Sequence, residues 1–169
     1  MTTRELFTFP NPVNEKAARS VAGGVAVLAV LALALSITAG HGWLWLSVPL
    51  AYGFLARVLA GPTLSPLGQL ATRVLAPRLG PAKLVAGPPK RFAQAIGAVL
   101  TVGAVIFLAL GHATGTQVLL GLLIVAAVSE SVFAYCFGCK IFALLMRVGL
   151  VPAETCAACA NISLRSRQA

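Results

Sequence analysis

Four cysteines stand near the end of the sequence, in CFGCKIFALLMRVGLVPAETCAAC, residues 136–159. They form two Cys-x-x-Cys pairs, Cys136 with Cys139 and Cys156 with Cys159, with sixteen residues between the pairs. Three chemistries use such a set: a four-cysteine zinc site, a dithiol that carries electrons or sulfur, or a pair of structural disulfides. The spacing C-x2-C-x16-C-x2-C suits one Zn(II), each pair presenting two thiolates and the intervening residues supplying the return path. Lys140, Arg147, Arg165 and Arg167 are placed to offset the net negative charge of such a tetrathiolate. The redox reading makes a different demand. Within one continuous helix, residues three apart hold their Cβ atoms about 5–6 Å apart, whereas a disulfide wants about 3.8 Å. Gly138 loosens that constraint. If the preceding helix ends near Tyr135, CFGC becomes the N-terminus of a helix KIFALLMRV, where the positive helix end and Lys140 lower a thiol pKa. A thiol so activated takes up a disulfide or a persulfide.

The choice depends on the compartment, and composition addresses that. Of 169 residues, 59% are hydrophobic and only 10% are charged, against roughly 25% charged in soluble domains. The formal charge of +9 comes from thirteen Lys and Arg against four Glu. The cations are interleaved with long apolar blocks rather than clustered with stacking aromatics, so nucleic acid is not the expected partner. A lipid bilayer is.

Two uncharged blocks set the number of spans, Ser20–Ala56 with 37 residues and Phe92–Ser129 with 38. A helix of that length would measure about 55 Å against a hydrocarbon core of about 30 Å, so each block folds back once. The breaks fall at Gly40-His41-Gly42 and at Gly111, His112 and Gly115. The expected fold is therefore an all-α membrane protein of four transmembrane helices in two hairpins, over about 19–39, 43–60, 92–111 and 116–137. Trp43 and Trp45 fall where an interfacial aromatic belt lies. Every Lys and Arg is terminal or in the central segment and none is in the short turns, which puts both termini and the central loop in the cytoplasm of a multi-pass inner-membrane protein. The chain then divides into a cytoplasmic segment 1–18, a hairpin 19–60, a basic loop 61–91, a second hairpin 92–137 and a cysteine-rich cytoplasmic tail 138–169.

In the central loop, Ser65-Pro66 reads as an N-cap followed by proline at the first helical position. A short helix follows, with Leu67, Leu70, Val74 and Leu75 on one face and Pro77 as its stop. It is expected in the headgroup region, where Arg73, Arg78 and Lys83, with Lys90 and Arg91 beyond, contact anionic lipid; the alternative is a basic lid over an anionic substrate. Small residues at four-residue spacing, Ala18-Ala22-Ala26 and Ala93-Gly97-Thr101, suit close helix approach.

Cytoplasmic thiols stay reduced, which sets structural disulfides aside and leaves zinc or redox chemistry at Cys136, Cys139, Cys156 and Cys159. With all four on one side, the chain alone does not pass electrons across the membrane by thiol exchange. Glu130 is the one formal charge inside a span, so it is a candidate functional acid or a structural ion pair with Arg57 at the end of the second helix. On a continuous helix it points away from Cys136 and Cys139, about 240° and 180° round. His41 and His112 are expected as water-exposed turn residues. No nucleotide-binding loop, nucleophile elbow or HExxH stands in the sequence.

FPNPVNEKAAR, PKRFAQAIGAVLT and SVFAYCFGCKIFALLMRVGLVP, with the final CAAC, resemble a family of small bacterial integral-membrane proteins classed as a domain of unknown function. The resemblance implies a setting beside thioredoxin-like and thiosulfate sulfurtransferase (rhodanese-like) proteins, and assigns no residue roles. The expected function is a membrane-embedded thiol-redox or sulfane-sulfur module with such a soluble partner. The alternatives are a zinc-stapled scaffold that docks a soluble partner and a permease for a small sulfur anion. Self-association as a homo-oligomer stands open.

Overall fold

The computed structural model describes residues 9–151. Among them, four helical stretches are long and apolar enough to cross a membrane: Glu15–Thr38, His41–Thr63, Gly87–Ala109 and Ala113–Phe133. Helix α1 (Glu15–Thr38) starts where the Asn14 side chain accepts a hydrogen bond from the Lys16 N–H at 3.1 Å, an N-cap that satisfies a free helix-end donor. A 3-10 turn, His41–Leu46, leads into α2 (Ser47–Ala60). The long helices α5 (Gly87–Ala109) and α6 (Ala113–Phe133) meet at a turn carrying His112, and α7 (Phe137–Arg147) follows. Both histidines are exposed.

The start of α5 differs from the expected 92. Pro88 and Pro89 lie in its first turn, where a missing N–H costs no intrahelical bond, so Lys90 and Arg91 are helical rather than part of the loop.

The pairing of helices also differs from two self-contained hairpins. Helices α5 and α6 pack together, but α1 lies mainly along α6 and α2 mainly along α5, with α1 and α2 touching little. Small residues set this arrangement. A side chain at Gly97 would overlap the Phe54 ring of α2, and Ala22, Ala26, Ala29 and Ala32 of α1 are all buried. In lipid, where apolar surface alone gives little drive to associate, such close approach is a main source of cohesion. Large apolar residues such as Val27, Leu31, Val99, Ile106, Val118 and Val125 face outward, a surface suited to hydrocarbon.

The central segment forms α3 (Pro66–Leu70), a π-helical turn Ala71–Leu75, and α4 (Ala76–Arg78). Ser65 caps α3 by accepting from the Gly68 N–H at 3.2 Å, as the Ser-Pro pair predicts. Pro77 does not stop the helix. The π-turn precedes it and the chain runs to Arg78; a wider turn relieves the clash that a proline ring makes in a regular helix. The inward face is made of small residues, Ser65, Gly68, Ala71 and Ala76, while Leu64, Leu70, Val74, Leu75 and Leu79 are exposed. Strand β1 (Val13–Asn14) pairs antiparallel with β2 (Leu84–Val85), Val13 opposite Val85. The Lys83–Glu15 ion pair, at 2.8 Å, closes the same junction. The N-terminal segment and the basic loop therefore meet at one end of the bundle.

Candidate functional site

Helix α6 ends at Phe133, four residues before the expected 137. Ala134 adopts the left-handed conformation, φ 56, and the Tyr135 N–H donates to the Ser129 carbonyl at 3.0 Å, a common helix stop. Arg19 of α1 completes it. Its Nε and Nη2 donate to the Ser131 carbonyl at 3.1 and 2.9 Å, and Nη2 also to Val132. A cation there meets both the unpaired carbonyls and the negative helix end.

The break makes CFGC the N-terminus of α7. Cys136 is the N-cap: its Sγ accepts from the Cys139 N–H at 3.3 Å, and the Cys139 thiol donates to the same sulfur at 2.7 Å. Cys136 is buried and Cys139 half-buried. The distance problem of two cysteines on a continuous helix disappears, because Cys136 has extended backbone (φ −96, ψ 103). Two contacts with α5 hold α7 in place. Gly138 lies so close to Ala93 that a Cβ on it would sit 2.6 Å from both the Cα and Cβ of that residue. Phe142 packs against Phe92 with the rings tilted, 5.6 Å between centroids.

The two thiols are electrically unequal. Cys136 is held below the ordinary cysteine range, chiefly because the Cys139 thiol donates to it; the Lys90 charge and the Cys139 N–H add to this, against burial and Glu130. Cys139 is pushed up, mainly because its proton is held in that same hydrogen bond, with burial adding. The proton therefore leaves Cys136 first. The alkylation rate of Cys136 in the reduced protein should rise with pH around a midpoint below the free-cysteine value of about 8.5. In Cys139→Ala the chief lowering cause is gone while burial and Glu130 remain, so the midpoint should move up; an unmoved midpoint in a pH-rate profile would contradict the assignment.

Glu130 is paired with Lys90, not Arg57. Lys90 Nζ lies 2.6 Å from Glu130 Oε1, their side chains only 10% and 13% exposed. Lys90 starts α5 facing the bundle, so it is not the surface lipid contact expected of it. Arg57 is also buried, and its partners are neutral. Nε donates to Gln94 Oε1 at 2.8 Å, Nη1 donates to Ser65 Oγ at 3.0 Å, and the guanidinium lies 4.4 Å from the Phe54 ring centroid. Nor is Glu130 turned away from the thiols. With α6 broken at Phe133, Glu130 and Cys136 line one cavity of about 100 Å3, with Gln94, Phe54 and Ala93 among its other walls. The 240° separation holds only for a helix that continues.

Arg73 and Arg78 are exposed, as is the Lys83 side chain beyond its pair with Glu15. Arg91 is exposed too, its Nε donating to the Val58 carbonyl at 3.0 Å. Cys156 and Cys159 lie outside the described residues, and among those described no three His, Cys, Asp or Glu side chains gather in one place. The sequence reading put the basic loop and the thiols at the same end of the bundle but missed the contacts that Lys90, Gln94, Ser65 and Arg19 make there. The Gly-Pro-Pro before Lys90 was the available signal, since it marks a helix start and puts the lysine one turn inside.

No curated protein and no solved structure matches the chain. A family model does, over residues 13–147, which takes in the bundle, the buried Lys90–Glu130 pair and the CFGC turn but not Cys156 and Cys159. By that match the chain belongs to the family described as Domain of unknown function (DUF4395).

Proposed function

We propose that the protein is a membrane-embedded thiol module that exchanges electrons or sulfane sulfur with a soluble thioredoxin-like or sulfurtransferase partner. The observation that carries this reading is the pair itself: two free thiols 2.7 Å apart at a helix N-terminus, one with a lowered pKa. In the sulfur-transfer direction, the Cys136 thiolate attacks the outer sulfur of a partner persulfide. The partner thiolate leaves, and Cys136 holds the persulfide. Attack by Cys139 on Cys136 Sγ then expels hydrosulfide and leaves the disulfide, and a reduced dithiol partner returns it to two thiols while becoming oxidised itself. Direct thiol–disulfide exchange uses the same last step. In this reading a protein partner approaches along the half-buried Cys139 face, and only the small outer end of its persulfide reaches the buried Cys136.

This reading places both termini, the basic loop and the thiols on the cytoplasmic side of the inner membrane, following the distribution of Lys and Arg. The exposed Leu70, Leu75 and Leu79 of the connector, beside Arg73 and Arg78, support a headgroup-level position for it.

Mass spectrometry of the full-length protein in detergent tests the chemistry. After incubation with thiosulfate and a sulfurtransferase, a peptide containing Cys136 and Cys139 should gain one sulfur atom or lose two hydrogens, and a thioredoxin-like reductant should reverse the change. Thiols left unmodified throughout would end the proposal. The C-x2-C-x16-C-x2-C spacing supports zinc on all four cysteines as a second reading. One zinc per chain in elemental analysis, together with thiols that react only after chelation, would favour the scaffold instead.

A further inference from the structure

Arg57 and Lys90 share the wall of a second cavity, of about 290 Å3, between the N-terminal segment, α1, the loop after α2, and α5. That is close to the lower bound of small-molecule pockets, about 300 Å3. Its polar lining is one-sided. Among the described residues it consists, besides the two cations, of Asn14, Thr72 and Gln94, with no acid. Glu130 lies behind Lys90 and takes one of its hydrogen bonds, so two positive charges face one negative charge. Arg57 is 5% exposed, and its Nη2 finds no hydrogen-bond partner among the described residues. A buried guanidinium edge left empty is costly, and the planar fork is suited to oxygens of an anion. Thr72 and Gly68 bring the connector to the same wall, whereas the expected lid residues Arg73, Arg78 and Lys83 do not line it.

We propose that this cavity binds a small tetrahedral oxyanion, held by the Arg57 and Lys90 side chains that line it, either free in solution (phosphate, sulfate or thiosulfate) or as the phosphate of a lipid headgroup. Gln94 and Val21 line both this cavity and the one behind Cys136, so the anion sits one side chain away from the thiol chamber. The binding itself is independent of the thiol chemistry proposed above.

The test uses the full chain in nanodiscs of purely zwitterionic lipid, titrated with phosphate, sulfate and thiosulfate, and in a second set containing phosphatidylglycerol. Saturable binding by calorimetry, with a matching rise in thermal midpoint, is expected. Arg57→Gln should weaken it at least about tenfold, the loss of one charge-assisted hydrogen bond. Ala18→Leu puts bulk into the cavity from α1 and leaves both cations in place, so, with its own thermal transition as the check on folding, it should abolish binding even if Arg57→Gln unfolds. A double Cys136→Ser/Cys139→Ser variant should bind as the parent does, which separates this site from the thiol reading. Arg57-dependent binding of the free anions in zwitterionic discs supports the site and identifies a soluble ligand. An Arg57-dependent stabilisation seen only with phosphatidylglycerol supports it and identifies the lipid. Salt effects equal in parent, Arg57→Gln and Ala18→Leu would be screening of the basic surface and would overturn the proposal.

Discussion

Replacing Lys90 with methionine should lower the stability of the bundle by about 3–5 kcal/mol, the cost of leaving one member of a buried ion pair unmatched. The pair is short, 2.6 Å, and both side chains are nearly covered, so Glu130 would remain in the interior with no neutralising neighbour within hydrogen-bond reach among the described residues. Glu130→Gln should be damaging for the mirror reason, since it leaves Lys90 beside the Arg57 guanidinium. The double variant Lys90→Met/Glu130→Leu should recover most of the loss, because two matched apolar groups commonly replace an ion pair at little net cost. Reversible denaturation in mixed micelles, run as a double-mutant cycle, reads the coupling. Additive single effects would mean that the two groups do not act as a pair. The same variants act on Cys136 with opposite signs. Lys90 helps to lower its pKa and Glu130 opposes this, so the alkylation midpoint should rise in Lys90→Met and fall in Glu130→Gln.

Gly138→Val should separate α7 from α5. The first added carbon already lies 2.6 Å from Ala93 Cα and Cβ, and a backbone atom cannot step aside as a flexible side chain does. Overpacking of this kind costs about 1–3 kcal/mol, and the strain is relieved most cheaply by lifting the short helix rather than moving α5. The Phe92–Phe142 contact would then be lost. Cys136 would become exposed, so the expected readout is rapid alkylation of both thiols, by a bulky maleimide as readily as by a small reagent. The proposed exchange with a partner should fall to background although Cys136 and Cys139 are intact. Gly138→Ala, with a single methyl, should lie between. If Gly138→Val keeps Cys136 protected, the seating of α7 on α5 is not as described.

Much of this architecture could be read from charge. Uncharged blocks of 37 and 38 residues, each interrupted by glycines, force four crossings whatever the helices pack against. The Ser65-Pro66 cap was legible because its mechanism is local. What charge spacing does not encode is which helix lies on which. That depends on where Gly97 and the alanines of α1 leave room for a neighbouring helix, and on alanine-rich helices many such stripes compete. The helix N-terminus at CFGC was legible as the alternative that Gly138 opens, but the approach of Glu130 to it was not, for one local reason. SESVFAYC has no glycine or proline to announce a break, and the structure ends the helix there with an alanine in a left-handed conformation, a choice that favours glycine. Reading through that point rotated Cys136 away from Glu130 and assigned Glu130 to the nearest apparent cation, Arg57. With the break in place, Lys90 is the natural partner, and Arg57 is left to the neutral groups of Gln94 and Ser65.

The alanine at that break has a mechanical consequence. Glycine in its place would ease the torsional strain, yet it would also let the short sulfur-bearing helix swivel about its tether. A methyl group narrows the swing at the joint, so fewer orientations of the two sulfurs compete with the one in which the short helix seats on its neighbour.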